Sequence, residues 1–67
     1  MKQIEYKGRW ITIDLVKHGK AWGWSYQIDA GPLRESRDRP LPDPGVMEAE
    51  AEREAKREID RAEKLQG

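Results

Sequence analysis

AWGWSYQIDA, residues 21–30, sets Trp22, Trp24, Tyr26 and Ile28 at every second position, with Gly23, Ser25, Gln27 and Asp29 between them. A two-residue alternation of bulky and small or polar side chains is the signature of a strand with one buried face. The chain has 3 Trp, 2 Tyr and no Phe, so this stretch holds most of its aromatic surface. Such a row is either the core under a second layer or an aromatic face offered to a partner. The rest of the chain decides between the two.

Upstream, Ile11, Ile13 and Leu15 alternate with Thr12 and Asp14 in the same period. Lys7-Gly8 and His18-Gly19 interrupt the alternating runs, and X-Gly at such a point marks a tight hairpin. Two-residue loops at both places pair Tyr6 with Arg9 and Ile4 with Ile11. They also pair Lys17 with Lys20, Leu15 with Trp22, Ile13 with Trp24, and Ile11 with Tyr26. Both counts put Ile4, Tyr6, Ile11, Ile13, Leu15, Trp22, Trp24, Tyr26 and Ile28 on one face, and a one-residue slip would scatter them. The other face receives Gln3, Glu5, Trp10, Thr12, Asp14, Val16, Gly23, Ser25 and Gln27. Strands are expected over about 2–6, 9–16 and 21–29. A fourth, over 33–36, rests on Leu33 alone. Pro40, Pro42 and Pro44 forbid regular pairing and make 37–43 a loop.

Downstream, the pattern predicts a helix over about 44–65. Asp43 suits the N-cap and Pro44 the first helical position. Glu48, Glu50, Glu52 and Glu54 lie early; Arg57, Arg61 and Lys64 lie late, in the sense that the helix dipole favours. Glu52 with Lys56 and Asp60 with Lys64 are favourable i, i+4 pairs. The apolar stripe runs through Met47 or Val46, Ala51, Ala55, Ile59, Ala62 and Leu65. It is mostly alanine, so it needs bulky side chains opposite, and the Trp22–Trp24–Tyr26 row supplies them. Large against small fills an interface without voids. The row therefore reads as core.

The fold expected is one α+β domain spanning 1–67: an antiparallel meander of three strands, with a fourth over 33–36 in question, and one long C-terminal helix across one face. At 67 residues the core is small, and the chain has no Cys to staple it. The N-terminus carries no apolar run of a signal peptide, and no stretch approaches a membrane span, so a cytoplasmic location without membrane contact is expected. Basic and acidic residues balance at 13 each. A dedicated nucleic-acid binder shows a basic excess.

Tyr6-Lys7-Gly8 followed by Ile11, a Trp-rich strand ending Tyr26-Gln27-Ile28, and a helix reading Ala51-x-x-x-Ala55-Lys56-x-x-Ile59-Asp60 together resemble a loose group of small bacterial proteins. These have a short antiparallel sheet, one C-terminal helix and no assigned activity. The resemblance implies a fold and carries over no catalytic residue. The proline-rich segment departs from the group, whose members often have a further clear strand there.

Residues with chemical potential are few. His18 is the one histidine, and a metal site needs several converging ligands. Thr12 and Ser25 fall cross-strand from each other in this register, but a hydroxyl nucleophile needs a base held by a third group. Neither an enzyme nor a cofactor is expected. Two features point to binding instead. Trp10 alternates onto the polar face, and Trp is enriched at interface hot spots. Arg34, Arg37 and Arg39 could join Arg53, Arg57, Arg61 and Lys64 in a basic patch. The expected function is a small protein–protein interaction module with an unidentified protein partner. A nucleic-acid-binding module using the Arg patch is the alternative. The first strand is a sheet edge, so the chain is expected to be a monomer or a weak homodimer through that edge.

Overall fold

The computed structural model describes residues 1–36 and 40–66; the side chain of residue 66 is outside the description. Four strands form one antiparallel sheet in the order β1-β2-β3-β4: β1 (Lys2–Tyr6), β2 (Arg9–His18), β3 (Ala21–Ile28) and β4 (Arg34–Glu35). Among the described residues one helix, α1 (Pro44–Gln66), lies across one face.

The first hairpin has the expected register, with Tyr6 opposite Arg9 and Ile4 opposite Ile11. Lys7 and Gly8 take φ of 52° and 77°, the pair of left-handed residues that a tight hairpin turn requires. The second hairpin differs from expectation. Its loop is Gly19-Lys20, not His18-Gly19, and β2 runs on to His18. The pairs are therefore Leu15–Trp24, Ile13–Tyr26 and Ile11–Ile28. Gly19, at φ 64°, takes the first central position, where positive φ costs a glycine little. The change of partner is two residues, so no side chain changes face. Its gain is at the far end: Ile28 now pairs with Ile11 and enters the core.

All nine side chains assigned to the apolar face lie there. Ile11, Ile13, Trp24, Tyr26 and Ile28 are buried with Met47, Ala51, Ala55 and Ile59, and Ile4, Tyr6, Leu15 and Trp22 pack around them. Ala51 and Ala55 are 0% exposed; their small side chains let the helix axis approach the sheet. Trp24 and Tyr26 stack at 5.4 Å between ring centroids beneath them. The helix starts as expected: Asp43 Oδ1 accepts from the Gly45 and Val46 amides at 2.9 and 3.3 Å. The apolar stripe begins at Met47 rather than Val46 and ends at Ile59. Ala62 and Leu65 are exposed. The residues after Ile59, 60–65, are all exposed, so the last turns lie beyond the packed seam.

The fourth strand exists but is shorter than 33–36, with Leu33 exposed. It is one of several contacts along β3. Arg34 and Glu35 pair with Tyr26 and Ser25. The Ser36 amide donates to the Trp24 carbonyl at 2.9 Å, and Ser36 Oγ accepts from the Trp24 amide at 3.2 Å. Leu41 exchanges both backbone bonds with Trp22, at 2.7 and 3.1 Å. The proline-rich segment thus returns to the sheet at Leu41 and covers the Trp22 end. Gly23 makes the close approach possible, because a Cβ there would sit 3.0 Å from Ser36 Oγ.

Charged groups tie the sheet's edges to the helix. Lys2 meets Glu48 at 2.8 Å and Lys7 meets Asp60 at 2.8 Å, one at each end of β1. On the other flank Trp24 Nε1 donates to Glu50 at 3.3 Å and the Tyr26 hydroxyl to Glu58 at 2.8 Å. Glu52–Lys56 forms as expected at 3.6 Å, but Asp60 turns to Lys7 and the Tyr6 hydroxyl rather than to Lys64. A partner across the seam satisfies the carboxylate and fixes β1 to the helix at once.

Candidate interaction surface

α1 covers one face of the sheet and leaves the other open. On the open face the alternation places Gln3, Glu5, Trp10, Thr12, Asp14, Val16 and Gln27, with Ser36 and the His18 ring close over Gly23. Thr12 and Ser25 are not cross-strand partners, as the sequence register implied: Thr12 faces Gln27 and Ser25 faces Asp14. The same two-residue change of register separates them. Asp14 pairs instead with the N-terminal ammonium at 3.8 Å.

Trp10 is 51% exposed, against 7% for Trp24. Leu41, in the proline-rich segment, docks on Trp22 at the opposite end of the sheet from Trp10. The residue flanking Trp10 toward β3 is Asp29, not Gln27. The Trp10 amide donates to Asp29 Oδ1 at 3.0 Å, and the Asp29 amide donates to the Trp10 carbonyl at 2.7 Å. Asp29 holds φ of 53°, which turns its carboxylate back over β2 to take the Arg9 guanidinium as well. That guanidinium, followed by the Trp10 amide, holds the Asp29 carboxyl below the usual carboxylate range. An exposed indole therefore stands on a backbone whose amide and carbonyl are both held by Asp29. Sequence alternation located the indole. It carried no sign of the Asp29 clamp, which depends on the shifted register.

The described arginines are interleaved with acidic side chains. Arg34 turns toward α1 and meets Glu58 at 3.3 Å, and Arg57 meets Glu54 at 3.4 Å. Arg34 and Arg61 border the same open depression, but Glu54 and Glu58 border it too. Arg53 lies on the outer side of the helix. Arg37 and Arg39 lie outside the described residues. Burial, and then the hydrogen bond to Glu58, push the Tyr26 hydroxyl up to about 12. This group is structural: it closes the sheet–helix seam. Among the described residues, no three His, Cys, Asp or Glu side chains converge as a metal site would need. No helix there is long and apolar enough to cross a membrane.

No protein-family model, curated protein or solved structure matches the chain.

Proposed function

We propose that this chain is a small, non-catalytic protein-binding module that uses the open face of its sheet, with Trp10 as the anchor. The observation that carries the reading is the half-exposed indole on a backbone fixed by Asp29. A backbone already held in place loses little freedom on binding, and a Trp supplies much apolar area to a partner's pocket. The nucleic-acid reading draws less support: Arg34 and Arg57 already have carboxylate partners, which a phosphate would have to displace. A cytoplasmic setting belongs to the same proposal, and cell fractionation tests it.

The experiment is a binding measurement with a captured partner, for the native chain and Trp10→Ala, over a salt series. The expected result is loss of binding in Trp10→Ala and little change with salt. Binding that survives Trp10→Ala and falls steeply with salt would instead indicate phosphate contacts.

A further inference from the structure

We propose that β1 is an assembly edge at which two copies of this chain join their sheets, antiparallel, about a twofold axis at Ile4. The argument starts from where the backbone bonds go. The Trp10 amide and carbonyl both point to the β3 side, where Asp29 takes them. In an antiparallel ladder the direction alternates along each strand. Tyr6, Ile4 and Lys2 are therefore bonded to β2, and the amides and carbonyls of Gln3 and Glu5 point outward from the edge. The opposite edge offers no such row: Leu41, Ser36 and β4 occupy the outward groups of Trp22, Trp24 and Tyr26, and the Gly31 amide takes the Ile28 carbonyl.

The usual guards of an exposed edge are Pro and Lys. β1 contains no Pro. Its two flanking lysines are drawn onto the helix face, Lys2 by Glu48 and Lys7 by Asp60. The edge is left open to a strand of matching chemistry, and the chain itself supplies one. Three registers use the outward groups on both copies. The one centred on Glu5 sets Glu5 against Glu5 of the second copy, and like charges directly opposite repel. The one centred on Gln3 sets Ile4 against Lys2 of the second copy. The one centred on Ile4 pairs Gln3 with Glu5 twice on the open face and Ile4 with Ile4 on the helix face. Charge and polarity both select it. The result is an eight-stranded sheet with both helices on one face.

The test is sedimentation equilibrium of the whole chain up to about millimolar concentration, the weak end of measurable affinity. The native chain should dimerise weakly. Gln3→Glu opposes Glu5 of the second copy at two symmetric places and should raise the Kd about tenfold, while Gln3→Lys should lower it several-fold. Glu5→Pro removes an outward amide without touching the β1–β2 ladder and should abolish association. If Glu5→Pro proves unfolded, the two exposed Gln3 variants carry the test. Monomers throughout, Gln3→Lys included, would overturn the proposal. So would a dimer indifferent to the charge at position 3, because its interface would lie elsewhere or in another register.

Discussion

Single side chains divide into those that hold the structure and those it leaves unused. Trp10→Ala should cost about 1–2 kcal/mol, well short of the loss at Trp24, because about half of the side chain is covered. Indole-proton NMR checks the premise: exchange should be fast for Trp10 and slow for Trp24, whose Nε1 is bonded to Glu50. Gly23→Ala sets two effects against each other. The substitution gains ~0.4–1 kcal/mol by restricting the unfolded chain. It pushes Ser36 Oγ away, however, and weakens the part-buried bond that this oxygen accepts from the Trp24 amide, a loss of up to ~1–3 kcal/mol. The loss wins, and a denaturant titration should show a net destabilisation of roughly 1 kcal/mol. Tyr26 gives a pH dependence. Its folded pKa, about 12, lies above the ordinary 10, so the protonated form is the one the fold favours. Its contribution is complete below pH 10 and is lost as pH rises toward 12. Melting temperatures across that window should fall less steeply for Tyr26→Phe than for the native chain.

Between elements, the decisive contact is alanine over tryptophan. Ala55→Glu forces a carboxylate into a seam where the native side chain is 0% exposed, and a thermal melt should show the domain unfolded or nearly so. Trp24→Ala leaves a hole under the same helix and should cost about 3–5 kcal/mol. A cooperative melt little changed by either substitution would contradict the core described here. Asp43→Ala tests the helix start: loss of the two amide bonds to Oδ1 should cost about 1 kcal/mol with the fold retained. The expected element boundaries were close, and the departure at the second hairpin has one cause. Turn chemistry at His18-Gly19 allows the glycine to be either central residue, and local sequence does not choose. Ile28 chooses, by reaching the core only when Gly19 comes first.

For the molecule as a whole, the two faces and two edges have different roles. One face is filled by α1, and the β3 edge is contacted by the segment that leads to it. The open face with Trp10 and the open edge of β1 are what remain for partners. If two copies join at β1, both Trp10 side chains come to one face, about 16 Å apart from three strand spacings and a two-residue stagger. A partner with two matching pockets would then be held by both at once.

The alternation of residues 2–28 determined the sheet, its buried face and the exposure of Trp10, because side-chain direction in a strand depends only on position parity. The Asp43-Pro44 start and the alanine stripe determined the helix and its buried side for a similarly local reason. What tertiary structure decided were the matters that depend on distance through space. They are the register of the second hairpin, the Asp29 clamp, the return of Leu41 to Trp22, the end of the buried stripe at Ile59 and the pairing of Arg34 with Glu58. Each is a choice among partners far apart in the chain, and only packing sets their separation.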